Sequence, residues 1–341
     1  MPSHAYILGV AGLMFGAALP AVAGDDGPAA HAKAPVRVIL DTDIGPDVDD
    51  VGAVAILHAL ADLGEAEIVA MAACTSNPWG APCLDALNTY YGRPEIPVGT
   101  FKQPGFLEES SYSEGIARAF PNALGHGDNA PDATALYRRV LAESPDKLTF
   151  IAVGPLNNLK LLLESEADAV SPLNGEELVR EKVSELVIMG PYFNEESEFQ
   201  YAWNYAQDPA AAAYVSERWP TPMRFGEGNL GHRHFIGAGL ADAPESSPVR
   251  HGYELAEGPA GKRHCADPST ILYAIRGTRH FDEVRVGSCE VRAEDGATRW
   301  VAEPDLDHAY NRERLPIAEL ERIMEELLVK PPRLGADQRE P

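Results

Sequence analysis

The sequence predicts an open α/β fold: a mainly parallel, doubly wound sheet with helices on both faces. Two observations carry this. Short apolar, β-branched runs alternate with segments of helical period, the signature of βα units. The runs are apolar throughout rather than alternating, as in a parallel sheet covered on both sides. A third observation places the function. The first run opens straight into an acid-rich turn ahead of a helix, and ligands bind at that edge of such sheets.

The elements follow in order. Residues 36–40 (VRVIL) read as the first strand and 51–63 as a helix, with Val54, Ile56, Leu57 and Leu60 on or near one face. Residues 68–73 (IVAMAA) are a second strand, 84–91 a helix and 96–98 a short strand. Residues 133–143 are an amphipathic helix, 148–153 (LTFIAV) a buried strand and 156–164 the helix behind it. Residues 186–189 (LVIM) are another strand before a Gly-Pro loop. A helix opens at 208–215 with Pro209 in its first turn, where the missing N–H costs nothing. Helices at 270–275 and 317–329 complete the series. With no composition break between them, residues 35–330 read as one domain.

Ahead of it, residues 1–23 hold no Asp, Glu, Lys or Arg, and the apolar run 5–20 is too short to span a bilayer. It ends in Ala21-Val22-Ala23, a small-x-small cleavage pattern, so residues 1–23 read as a secretory signal peptide. Residues 24–34 are a linker, and 331–341 a polar, Pro-containing tail expected to be disordered. The expected location is therefore the periplasm or the exterior, with no membrane association once the leader is gone. The 341-residue chain has 28 basic and 52 acidic residues and a net charge of −24. That argues against nucleic acid or an anionic membrane surface as partner. Export permits disulfides. Cys74–Cys83 and Cys265–Cys289 are conceivable bridges, and four buried thiols are the equal alternative.

The sharpest feature is Asp41-Thr42-Asp43-Ile44-Gly45-Pro46-Asp47-Val48-Asp49-Asp50, five carboxylates in ten residues. Like charges packed at a strand end raise the free energy unless a cation offsets them. Hard oxygen donors favour Ca²⁺ or Mg²⁺. An EF-hand fails, because Pro46 stands where its loop needs Gly and the closing Glu is absent. A haloacid dehalogenase-type phosphatase is a rival, with strand-D-x-D here and Gly127-Asp128 to Asp132 resembling its later G-D-x-x-x-D. Gly45, however, stands where that family has Thr or Val, and its intermediate Lys is not evident.

The whole pattern resembles the nucleoside hydrolase family of the inosine-uridine-preferring type. Leu40-Asp41-Thr42-Asp43-Ile44-Gly45 with Asp49-Asp50-Val51 matches its opening D-x-D-x-G-x-D-D. Thr75-Ser76-Asn77, Val153-Gly154-Pro155-Leu156-Asn157-Asn158-Leu159, Val187-Ile188-Met189-Gly190, Asn204 to Asp208-Pro209, and Asp267-Pro268 follow in the family's order. The resemblance spans roughly residues 36–290, and its motifs are specific as an ordered set.

The resemblance implies hydrolysis of an N-glycosidic bond in a nucleoside or related riboside. It implies a Ca²⁺ ion held by Asp43, Asp50, the carbonyl of Val153 and Asp267. Asp43 would be the base that takes a proton from water, and Asp49, Asn77 and Asn204 would hold the ribose. The family is commonly oligomeric, so a homo-oligomer is implied as well. Three departures stand out. The acidic turn has two extra residues, so Asp47 competes for the metal and sugar roles. Ala202 replaces a Glu that grips the 5′-hydroxyl, unless Glu198 or Asn194 substitutes. Ala266 replaces a His that protonates the leaving base, and His264 is either a surface residue or its replacement. Trp203 is core packing or a base-stacking platform. A non-catalytic Ca²⁺/sugar-binding protein of the same fold is the alternative function.

Overall fold

The computed structural model describes Met1 and residues 34–333. Apart from Met1, Ala34 and residues 331–333, the expected leader, linker and tail lie outside the described residues. Met1–Lys33 and Ala34–Pro341 separate as two units, and the second is described here.

The chain runs β1 (Val36–Thr42), α1 (Asp49–Asp62), β2 (Ala66–Ala73), α2 (Gly80–Tyr90), β3 (Val98–Thr100), α3 (Ser113–Ala119), α4 (Ala133–Glu143) and β4 (Leu148–Ala152). Then come α5 (Asn157–Glu164), α6 (Gly175–Lys182), β5 (Val183–Met189), α7 (Trp203–Gln207), α8 (Pro209–Arg218), β6 (Met223–Gly226), α9 (Gly228–His232) and β7 (Phe235–Ile236). The last part is α10 (Pro248–Glu257), β8 (Arg263–His264), α11 (Ala266–Arg276), β9 (Phe281–Val284), β10 (Ser288–Val291), β11 (Thr298–Val301), β12 (His308–Glu313) and α12 (Ile317–Leu328). Among the described residues no helix is long and apolar enough to cross a membrane.

Eight strands form the main sheet in the order β3-β2-β1-β4-β5-β6-β12-β9. All neighbours are parallel except the edge strand β9. The chain steps from β1 out to β2 and β3, then crosses back to lay β4 on the other flank of β1. Strand order reverses between β1 and β4, and their carboxyl ends leave a crevice there.

Residue alternation feeds two cores, which is why the strands read as unbroken apolar runs. Val38, Leu40, Ile151 and Val187 face one core with Leu57, Leu84, Ile271 and Leu320. Ile39, Phe150, Leu186 and Ile188 face the other with Tyr137, Leu159, Val179 and Trp300. The predicted doubly wound sheet is the observed one.

Differences in detail have local causes. The third strand is Val98–Thr100 rather than 96–98, because Pro97 contributes only its carbonyl, which accepts from Met71 N. Helix α2 begins at Gly80, four residues early, since Asn77 Oδ1 accepts the Trp79 N–H at 2.8 Å and sets its entry. All four cysteines are free and buried, so neither bridge forms.

Candidate active site at the carboxyl edge of the sheet

The acidic turn is fastened at both sides of β1. Cys74 N donates to Thr42 O at 2.8 Å and Val153 N donates to Asp41 O at 2.9 Å. Gly154 lets the β4 loop close on the turn, because a Cβ there would meet Asp43 N at 2.8 Å. Asp41 points away from the crevice, accepting from Tyr137 Oη at 2.5 Å and Asn158 Nδ2 at 2.8 Å. Burial pushes its carboxyl up to about 7 despite these bonds. Asp41 is still within β1 and is held in structure, whereas Asp43 lies past the strand's end, where the turn carries it into the site.

Asp43, Asp50 in the first turn of α1 and Asp267 in the first turn of α11 converge. Each offers an oxygen, and these oxygens lie within 4.8 Å of one another. They are 5%, 1% and 2% exposed. Burial, and then the surrounding carboxylates, push all three carboxyls well above the usual range. Asp50 accepts from the Thr42 hydroxyl, whereas Asp267 Oδ1 is buried with no partner. Val153 lines the same cavity. Its carbonyl accepts from Asn204 Nδ2 at 2.7 Å, and a carbonyl oxygen has a second lone pair. A buried all-oxygen set, an orphaned oxygen and like charges without a Lys or Arg partner among the described residues fit a hard divalent cation.

Asp47 goes elsewhere. Its Oδ2 accepts from Arg263 Nη2 at 2.7 Å, and His264 stands between it and Asp49, Nε2 3.6 Å from Asp47 and Nδ1 3.2 Å from Asp49. Burial would raise the Asp47 carboxyl, but Asp49, His264 and Arg263 together hold it well below the usual range. Burial and the Asp47 charge raise Asp49 to about 7. Burial disfavours the His264 cation, but the two carboxylates outweigh it and hold the imidazole at about 9. Arg263 and His264 thus balance Asp47 and Asp49, and this second cluster needs no ion. His264 is only 15% exposed on its side chain, so it is no surface histidine.

A cavity of about 460 Å³ opens over both clusters. Asp43, Asp49, Val153, Asn204 and Asp267 line it. Asn77 is buried beside it, accepting from Trp79 N and donating to Ser113 Oγ at 3.2 Å, and faces a neighbouring cavity of about 890 Å³. Pro46 belongs to both walls. Asn194 is not brought in. Its Oδ1 accepts from Glu198 N at 2.9 Å in the loop after β5, and neither residue lines the cavity. Trp203 stands in the cavity wall, 39% exposed, rather than in the core.

Sequence reasoning missed Arg263, His232, Tyr192 and Tyr201, which complete the wall. His232 stacks on His264 with ring centroids 4.2 Å apart. No motif marks these residues. The one available signal was Arg263, a basic residue four before Asp267 in an acidic chain.

Fold and site together are those of an α/β N-glycosyl hydrolase. The model of the family described as inosine-uridine preferring nucleoside hydrolase matches residues 38–307, and the chain belongs to that family. Among solved structures, the chain is similar to the inosine-uridine preferring nucleoside hydrolase from Bacillus anthracis, at 14% identity and TM-score 0.62 over 86% of this chain and 99% of that one. It is similar to the purine-preferring ribonucleoside hydrolase from Gardnerella vaginalis, at 16% identity and TM-score 0.63 over 86% and 98%. It is also similar to the type III effector protein XopQ complexed with adenosine diphosphate ribose, at 18% identity and TM-score 0.60 over 87% and 93%. No curated protein matches the chain. The family overturns the phosphatase alternative, and its second motif is placed accordingly. Asp128 is an exposed side chain, and Asp132 caps α4 by accepting from Ala135 N.

Proposed function

We propose that the protein is an exported, Ca²⁺-dependent N-ribohydrolase that cleaves ribonucleosides or related ribosides to ribose and free base. The observation that carries this is the buried Asp43–Asp50–Asp267 group with its unpartnered oxygen at the floor of a cavity of nucleoside size. Asp43, Asp50, Asp267 and the Val153 carbonyl would hold the ion. When bound, Ca²⁺ supplies the positive charge that keeps these carboxylates ionised and anchors vicinal sugar hydroxyls.

The protein's own groups do the rest. Asp43 faces the cavity beside the ion site, the setting for a base that accepts a proton from water. Asp49 keeps a buried oxygen without a partner, ready for a ribose hydroxyl. Asn204 flanks Val153 and holds the sugar from the other side. Asn77 supports the ribose edge from its bonds to Trp79 and Ser113. Water adds to the anomeric carbon as the C1′–N bond opens through an oxocarbenium-like state. Asn194 would act only if the loop after β5 carried it inward on binding. Export rests on the leader pattern of residues 1–23.

The test is to mix purified protein with a ribonucleoside panel, with and without EDTA, and assay free ribose. One structural relative was determined with adenosine diphosphate ribose, so that riboside joins the panel. Ribose released without EDTA and lost with it supports the reading. Ca²⁺ binding with no ribose from any substrate would establish the non-catalytic alternative instead.

A further inference from the structure

Part of the cavity wall comes from a segment with little structure of its own. Residues 190–202, between β5 and α7, form no helix, and their one strand-like pairing is the bridge of Gln200 to Thr298. Glu195, Glu196, Ser197 and Glu198 are exposed, and Ser197 is turned into the left-handed region at φ 54°. Yet Tyr192 and Tyr201, near its two ends, line the cavity, and Trp203 follows at once on α7. These rings give the cavity its aromatic surface, and an aromatic face takes a heteroaromatic base by stacking. Such a segment needs a scaffold outside itself to hold them there.

The β10–β11 hairpin supplies that scaffold. Cys289 and Trp300 root it in the core, where the Trp300 ring meets Phe193 with centroids 5.3 Å apart. Thr298, the first residue of β11, is fully buried. Its Oγ1 accepts from Tyr192 N at 3.0 Å and donates to Tyr192 O at 3.1 Å. Its main-chain N donates to Gln200 O at 2.9 Å, and its carbonyl accepts from Gln200 N at 2.8 Å. One buried residue thus bonds the segment at two points, at Tyr192 itself and beside Tyr201. Phe199, next to Gln200, has Arg292 4.6 Å and Arg299 4.4 Å from its ring centroid. Both arginines are tethered within the hairpin, to Asp295 and Glu290. On its other side the Tyr192 ring packs against Gly228, and its hydroxyl lies 2.9 Å from His232 Nδ1. The ring's direction is therefore set by α9 and its backbone by Thr298.

Resting on the N-ribohydrolase reading, we infer that Thr298 is a positioning residue: through it the hairpin holds the Tyr192–Tyr201 wall in place for a stacked aglycone, and so sets affinity for the base rather than the rate of bond cleavage. The hydroxyl carries this role. The main-chain pair with Gln200 survives a side-chain change, whereas the two bonds to Tyr192 exist only with a hydroxyl at position 298. Without it the N–H and C=O of Tyr192 lose their partner, and satisfying them elsewhere moves the ring. Asp43, Asp50 and Asp267 stand on the turn after β1, on α1 and on α11, outside this connection.

The test uses the Ca²⁺-loaded full chain and whichever of inosine, adenosine, guanosine, uridine and cytidine the wild type cleaves best. It measures kcat, KM and the inhibition constant of ribose, which reaches only the sugar end of the site. Thr298→Val keeps the branched shape and removes the hydroxyl. Its KM should rise about tenfold, the scale of a lost hydrogen bond, with kcat and ribose inhibition unchanged, as when binding common to ground and transition states is lost. Thr298→Ser restores the hydroxyl and should restore KM. Phe199→Ala removes the second grip without leaving a buried polar group unpaired, and should raise KM about threefold, the scale of a cation–π contact. An unchanged KM in Thr298→Val, or in Phe199→Ala should Thr298→Val not fold, would overturn the inference. So would ribose inhibition weakened as much as KM, the mark of a site loosened throughout, or a Ser variant no better than Val. Each of these leaves the ribohydrolase reading standing. No ribose released by the wild type from any of the five would remove that reading, and this inference with it.

Discussion

Arg138 on α4 and the Asp43–Asp50–Asp267 group are both buried charges, and their surroundings differ completely. Arg138 is 3% exposed. Its guanidinium donates to both oxygens of Asp168 at 2.9 and 3.0 Å, to Ser165 Oγ at 2.9 Å and to the carbonyls of Ser171 and Leu173. Each guanidinium nitrogen has an acceptor, and the knot ties the loop between α5 and α6 to α4. The three aspartates are as buried, have no basic partner among the described residues, and leave Asp267 Oδ1 unbonded. Closure within the chain marks a structural cluster, and its absence marks one completed by a ligand.

The largest test of this contrast is Asp43→Asn. Turnover should fall about 10²- to 10⁴-fold, the range for a lost base, while the circular dichroism spectrum is kept. The metal-free melting temperature should not fall, because a repelled buried charge has gone. Arg138→Met should behave inversely. Unfolding should cost about 1–3 kcal/mol less, as when buried carbonyls lose their donor, while kcat of the folded enzyme stays unchanged. Third, Ca²⁺ at about 100 times its dissociation constant should stabilise the wild type by about 2.7 kcal/mol in chemical denaturation. Asp267→Asn should lose most of that gain.

A smaller effect comes from a second buried cluster. His58 is fully buried, stacked on Tyr91 and bonded to Asn88 at 2.9 Å. Burial, and then the Arg93 charge, lower its imidazole from 6.5 to about 3. Between those values the unfolded chain binds a proton that the folded one refuses. Stability from this group is therefore complete above pH 6.5 and drains as pH falls towards 3, by about 1 kcal/mol at pH 5.5. Replacing His58 with Asn should flatten that acid limb in denaturation curves taken between pH 7 and 5.

The same contrast explains what was legible in the sequence. The sheet was, because β1, β4 and β5 are apolar on both faces and contribute to both cores. The four-residue β6 and the polar β12 (HAYNRE) were not, since their place is set by parallel neighbours rather than by their own pattern. Asp43, Asp50 and Asp267 were legible because carboxylates crowded at strand and helix ends are costly without a reason. The division of labour within the turn was not. Asp47 leaves the metal group only because Arg263, 216 residues away, reaches its carboxylate, and a contact of that span has no sequence spacing to reveal it. Asn194 looked suitable by position, but its amide is used in its own turn.

The most direct measurement is to strip the protein with EDTA and titrate it with Ca²⁺, following ion binding by calorimetry and ribose release from its best substrate together. One ion per chain, with ribose release rising in step with its binding, is the expected result. Full turnover in the stripped protein, or no ion bound, would contradict the assignment of the acidic turn.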